Sequence, residues 1–326
     1  NDEDLGTVKE SWSVNHEDYK VEQSKNYKSK KYFEIPKPYY GFHHVDLVTG
    51  HGDKCNGHYM QWLRDNFADY ERFFDPLNQI PHNYSCRQGY RTPIPEDFYP
   101  TTFVEKKSIE YFNSISNEKN PFISFLSFPD PHHPFTPPGK YWDMYDPDNF
   151  EVNLDYDFHK NPILPMQRVR QMYLNGIEPK VSTSVFMAEK RQIQESMALT
   201  AGMITMIDDS IGRVIQSLKK NNLYDNTVII FTSDHGDYLG DFSLMLKGAL
   251  PFRSITNVPF IWSDPLTRKE KSCNSLSSTI DIAPTILNRA SVKPYWGLQG
   301  IDITASISNN RSLRHELMIE YHDNLA

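Results

Sequence analysis

The chain has 326 residues, 38% of them apolar and 13% aromatic, with a formal net charge of −8. That length suits one large domain or two ordinary ones, and the apolar share supports a substantial core. The acidic balance argues against general nucleic-acid binding, which wants a basic face, and no apolar run reaches the roughly 18 residues of a membrane span.

The opening "NDEDLGTVKESWSVNHED" is acidic and polar, unlike a signal peptide. Residues 1–38 read as a polar lead-in and residues 39–326 as one α/β domain. Three scattered cysteines, Cys55, Cys86 and Cys273, have no CxxC spacing and suit neither a zinc knuckle nor a disulfide framework. Along the chain, "TFVEKKSIEYFNSISNEKN" has helical spacing, and "NPFISFLSF" (120–128) reads as a buried strand. A long amphipathic helix is expected from about Ser184 to Asn221, with Met197, Ala201, Ile204, Ile207, Ile211, Val214 and Leu218 on its apolar face. Strands follow at 226–232 and 258–264, then a helix in "STIDIAPTILNRAS" and a final strand in "HELMIEYH". The prolines gather in "EIPKPYYG", "RTPIPEDFYP" and "FPDPHHPFTPPGKYWDMYDP", which predicts long ordered loops. Alternating helices and apolar strands predict a mostly parallel sheet with helices on both faces, the strand 226–232 central in it. Ligands of such sheets bind outside the carboxyl ends of the strands.

Two motifs fall there. In "TSDHGD" a carboxylate, Asp234, stands beside an imidazole, His235. That pair suits a divalent metal, with hard cations such as calcium, magnesium or manganese favoured by carboxylates. The competing reading is that Asp234 caps a turn and His235 is an ordinary surface residue, at even odds on four residues alone. Lys247 alone would be a surface lysine; near a metal it suits an anionic ester oxygen. His132 and His133 lie between prolines in "DPHHPF", where a fixed backbone can aim a proton donor at a leaving alkoxide, although such pairs are more often loop packing.

Together these pieces resemble a sulfatase of the alkaline-phosphatase superfamily, of the bacterial choline-sulfatase and arylsulfatase kind. The resemblance runs from about Tyr39 to Tyr321. It rests on "MIDDSIGRV", "DNTVIIFTSDHGDYLG", "KG", "VPFIW" and "STIDIAPTIL", with "PYYGFHHVDLVTGHGDKCNGHYMQWL" and "FLSFPDPHHPF" upstream in the family's order. It implies that Asp234 and His235 ligate a divalent cation, usually calcium. It implies further that Lys247 contacts the sulfate and the ester oxygen, that His132 sits by the leaving group, and that His133 lines the pocket. The substrate implied is a small anionic sulfate ester, with no nucleic acid and no membrane span involved. The compartment stays open: periplasmic, extracellular or cytoplasmic, in a bacterium.

The family's formylglycine nucleophile arises in a C/S-x-P-x-R motif that these residues lack; Cys86 in "SCRQGYR" and Ser127 in "SFPDP" do not match it. The N-terminal Asp-Asp ligands and the "GKxH" segment are absent too. Phe242-Ser243 and Arg253 depart from residues common in relatives and bear on substrate preference. The sequence thus reads as the middle and later part of a longer enzyme, without the family's N-terminal part and its small C-terminal sheet. The expected function is metal-assisted sulfate-ester hydrolysis. The alternatives are a phosphonate or phosphate ester hydrolase of the same superfamily, and a non-catalytic sulfatase-like protein.

Overall fold

The helical spacing after Ser184 becomes a single helix of 31 residues in the computed structural model, which describes residues 20–29, 31–179, 184–269, 271–309 and 311–319. In chain order the regular elements are α1 (Ser24–Tyr27), β1 (Val48–Thr49), β2 (Asn56–Gly57), α2 (His58–Asn66), α3 (Pro100–Ser114), α4 (Leu164–Leu174) and β3 (Phe186–Met187). They continue with α5 (Lys190–Lys220), β4 (Ile229–Thr232), β5 (Leu244–Met245), α6 (Arg253–Thr256), β6 (Phe260–Ser263), α7 (Ile282–Arg289) and α8 (Thr304–Asn309), joined by short 3₁₀ turns. The chain divides into two compact units. The first holds the residues up to Lys160 together with Ala188–Tyr224; the second holds Asn161–Met187 and the residues from Asp225 onward.

In the first unit α5 starts on a capping box. The Glu189 side chain accepts from the third helical amide, and Gln192 accepts from the Glu189 amide at 3.1 Å. Lys219 and Lys220 close the helix where its dipole favours cations. Ile207, Val214 and Leu218 of the expected apolar face are buried, but Ile204 is 51% exposed. The buried stripe is rotated toward Leu199, Met203 and Met206, because the small residues Gly202, Ser210 and Ser217 on that side let neighbouring chain come close. α3 packs along α5, and Arg213 clasps the nearly buried Glu105 with two hydrogen bonds of 2.7 and 2.8 Å. Tyr59 and Leu63 of α2 join Ile94, Tyr99, Phe103, Tyr141 and Met206 in the core. The three thiols form no disulfide.

Glu195 is the polar anchor of this unit. Its buried carboxylate accepts the Ser85 and Cys86 amides at 2.7 and 2.8 Å and the Ser85 hydroxyl at 3.0 Å. Arg191, one turn earlier, donates to its other oxygen at 2.9 Å. The loop held in this way pairs with the segment after His133: Phe135 donates to the Gln88 carbonyl at 2.8 Å and Tyr90 donates to the Phe135 carbonyl at 3.2 Å.

The alternation of helix and strand is α/β, as expected, but the strand orientation is not. Among the described residues every named ladder is a two-stranded antiparallel pair: β1 with β2, β3 with β5, β4 with β6. Among the described residues β4 pairs with β6 alone, so there it is an edge rather than the centre of a sheet. A parallel pair needs a long crossover, usually a full helix. Between β4 and β6 the chain offers only a 3₁₀ turn, the two residues of β5 and the single turn of α6, so it returns in the opposite direction. The predicted strand at 120–128 joins no ladder among the described residues and has no regular secondary structure. Ile123 and Phe125 are 74% and 78% exposed, and the Phe122 ring meets that of Phe112 at a tilt of 53°, with centroids 5.8 Å apart. Apolar composition marks what a segment is able to bury, not whether a neighbour covers it. The predicted final strand is absent over residues 315–319, and its remainder lies outside the described residues, as do residues 1–19 of the lead-in.

Replacing Glu195 with Ala strands the buried Cys86 amide and takes the partner from the part-buried Ser85 amide and hydroxyl. The expected loss is about 3 kcal/mol, because each buried group left unpaired costs its full desolvation. Thermal unfolding reads it, with Glu195→Gln falling between wild type and Glu195→Ala; an unchanged melting temperature for Glu195→Ala would remove the anchor role.

Candidate active site

β4 ends at Thr232, and the next four residues, Ser233-Asp234-His235-Gly236, turn tightly. The Ser233 hydroxyl donates to the His235 carbonyl at 2.9 Å, and the His235 amide donates to Asp234 Oδ1 at 2.8 Å. Gly236 donates to the Ile255 carbonyl at 2.8 Å and lies so close to α6 that a Cβ there would sit 1.8 Å from the Ser254 carbonyl oxygen. Glycine is therefore required where the turn meets α6.

The turn leads into a loop that brings Lys247 back. Tyr238 closes it: its amide donates to the Leu246 carbonyl at 2.8 Å, its hydroxyl donates to the Leu250 carbonyl at 2.9 Å and accepts the Leu250 amide at 3.0 Å. Leu239, Phe242, Ser243 and Leu246 all have positive φ, between 42° and 66°, which is strained backbone for side chains of this size. The pairing of β5 with β3 anchors the loop at mid-length. Asp237 accepts the Leu239 amide at 2.9 Å beneath it, and burial pushes its carboxyl up to about 6.

Lys247 arrives beside His235. The His235 Nδ1 lies 2.8 Å from the Gly236 carbonyl, an oxygen that only accepts, so Nδ1 carries the proton. Nε2 is left with its lone pair, and Lys247 Nζ donates to it at 3.1 Å. Asp234 Oδ2 is 3.5 Å from the same Nε2, with the carboxylate exposed. One loop thus gathers Asp234, His235 and Lys247, as the sequence predicted. Among the described residues no three His, Cys, Asp or Glu side chains are grouped as a metal ion needs. Asp234 and His235 offer two donors, well short of the roughly six to eight oxygens that calcium takes.

His132 and His133 belong to the first unit. The peptide bonds before Pro131 and Pro134 on either side of them are cis. Asp130 anchors the segment: it is fully enclosed, accepting the Thr101 hydroxyl at 2.8 Å and the Tyr99 hydroxyl at 3.4 Å. Burial pushes its carboxyl up to about 7. His132 Nδ1 donates to the His133 carbonyl, which again fixes the proton on Nδ1 and keeps Nε2 out of that bond. His133 is buried. The sequence reading missed Asp130, Asp237 and Tyr238; the first stands two residues before His132, where a short polar residue in a proline-rich loop is a usable signal. Cys86 is a poor nucleophile, since burial first and then the Glu195 charge push its thiol up to about 12.

Residues 40–292 match the protein family described as Sulfatase. An arylsulfatase of Clostridium perfringens is 27% identical over 292 residues, which is 83% of this chain and 57% of that protein. An extracellular sulfatase SULF-1 homologue of Drosophila melanogaster is 29% identical over 253 residues, 73% of this chain and 21% of that protein. A phosphonate monoester hydrolase from Silicibacter pomeroyi has the same fold, with a TM-score of 0.62 at 21% identity over 79% of this chain and 51% of that one. The chain thus spans between about a fifth and a little over half the length of these three proteins.

Two outcomes check this geometry. Gly236→Ala forces its Cβ into the Ser254 carbonyl and costs on the order of 3 kcal/mol, as backbone clashes at special positions do. Hydrogen exchange should then rise across 229–256, and unchanged protection there would show that the turn has room. Asp130 titrates near 3.8 when unfolded and about 7 when folded, so the folded state holds the extra proton between those values. Its contribution is fully present below about pH 4 and is lost as pH rises to about 7, by roughly 1 kcal/mol per unit. Asp130→Asn lacks that dependence, so in urea unfolding the variant gains on wild type across this window and the gap is level above it. Parallel stability curves would remove the buried proton.

Proposed function

The chain belongs to the sulfatase family, and on that footing we propose that it carries part of the machinery of a hydrolase acting on a small anionic sulfate ester. One observation supports this most: Lys247 Nζ stands 3.1 Å from His235 Nε2, beside Asp234, in a loop built with strain to bring them together. The Lys247 cation suits a tetrahedral anion, while the neighbouring Asp234 carboxylate, which would repel that anion, suits a cation set beside it. Lys247 would hold the sulfate and stabilise charge on the ester oxygen. His132, with its Nδ1 proton committed to a carbonyl, would take up a second proton on Nε2 and pass that proton to the leaving alkoxide, returning to the neutral ring, and His133 would line the pocket.

Asp234 and His235 are this chain's two donors toward a divalent cation, calcium by preference, with magnesium or manganese as alternatives. When bound, such an ion supplies charge for the sulfate oxygens. Sulfate is preferred to phosphonate as the substrate because the Clostridium perfringens and Drosophila melanogaster relatives, at 27% and 29% identity, are named as sulfatases, whereas the phosphonate monoester hydrolase is 21% identical. No helix among the described residues is long and apolar enough to cross a membrane.

Residues 1–326 contain no C/S-x-P-x-R motif. The polypeptide of 38.0 kDa should therefore hydrolyse 4-nitrophenyl sulfate no faster than buffer and bind calcium weakly by calorimetry. Turnover by a sample whose mass matches would require a nucleophile among these residues. In a longer polypeptide that also carries that motif, Lys247→Ala should cost about 100-fold or more in kcat, the scale of losing one oxyanion contact. Full activity in that variant would sink the proposal.

A further inference from the structure

The "GHGD" run at 50–53 takes no part in the function proposed above. Its central residue, His51, nonetheless lies flat on His132, with ring centroids 3.4 Å apart and planes inclined by 14°. The contact is built by backbone as well as by side chains. Gly50 and Gly52 flank His51 with φ of +78° and +52°. At Gly52 a Cβ would stand 2.7 Å from Thr136 Oγ1 and 2.8 Å from the Pro134 carbonyl oxygen, so the run presses directly on the segment that follows His133. The Asp53 amide then donates to Thr136 Oγ1 at 3.0 Å, and Thr136 shares a hydrogen bond of 3.0 Å with Tyr99. His133 closes the other side of His132 at 3.9 Å, inclined by 30°. The His132 ring is therefore held between two others.

We propose that His51 is a positioning residue for His132. Its ring face fixes the plane of the His132 imidazole, so that Nδ1–H stays on the His133 carbonyl and Nε2 keeps the lone pair through which a proton is taken up and passed on. The inference rests on the reading of His132 as the donor to the leaving group. A flat ring suffices for this task; a hydrogen bond from His51 is not part of it.

The test uses the 326-residue chain with ¹⁵N-labelled histidine and long-range proton–nitrogen correlation spectra, His132 being assigned by its loss in His132→Gln. Wild type should show His132 as one tautomer with Nδ1 protonated. His51→Phe, which keeps a flat ring, should retain that signature. His51→Ala should shift both ring nitrogens toward values averaged between tautomers, while the backbone amide spectrum away from 50–53 and 130–136 stays in place. The proposal is overturned if His51→Ala leaves the His132 nitrogens unmoved, or if folded His51→Phe averages them as Ala does. Should the alanine variant fail to fold, the phenylalanine variant decides alone. The spectra neither need nor report turnover. The activity of His132→Ala in the longer enzyme tests the leaving-group role separately, so either idea can fail without the other.

Discussion

A buried carboxylate that accepts backbone amides must stay where those amides are, and Glu195 is that fixed point in the first unit. From it the dependence runs in two directions. Along the loop, Ser85 and Cys86 position Gln88 and Tyr90, which grip Phe135 just past the histidines. Along α5, Arg213 grips Glu105 on α3, and the start of α3 supplies Tyr99 and Thr101 to Asp130 just before the histidines. Both ends of the segment 130–135 are therefore tethered to one helix by charged or hydrogen-bonded contacts, inside a core of aromatic side chains that resists repacking.

The two units solve one chemical problem in the same way. Each places a histidine whose Nδ1 hydrogen bonds a neighbouring carbonyl oxygen, His132 to that of His133 and His235 to that of Gly236. A histidine tied in this way has one defined basic nitrogen and little freedom to spin. What differs is the company. His235 faces a lysine and a carboxylate, which suits electrostatic work, whereas His132 is packed between rings, which suits proton transfer in a fixed direction.

Much of this was legible in the residues. The apolar spacing gave α3, α5 and α7 close to their true bounds, and β4 and β6 appeared where β-branched and aromatic runs stood between turn signals. Asp234, His235 and Lys247 came from a motif whose spacing implies a returning loop, and the loop returns. Strand direction was not legible, because it depends on what the connection can span rather than on the strand's own composition. His51 was out of reach for a related reason: its partner lies 81 positions later, and the signal is a pair of glycines whose meaning appears only once the second segment is in place. Asp130 and Asp237 escaped because burial, not residue type, makes them unusual.

The apolar stretch at 121–128 carries a practical consequence. Ile123 and Phe125 face solvent on a backbone that joins no ladder among the described residues, close in sequence to Phe122, Leu126 and Phe128. Such a stretch has the makeup of a cross-β template: apolar, β-prone, uncharged and open along its edges. Proline is its gatekeeping feature: Pro121 is its first residue and Pro129 follows its last. These eight residues contribute little to the core, so the tendency of this polypeptide to associate in concentrated solution depends in part on a stretch that the fold's overall stability does not protect.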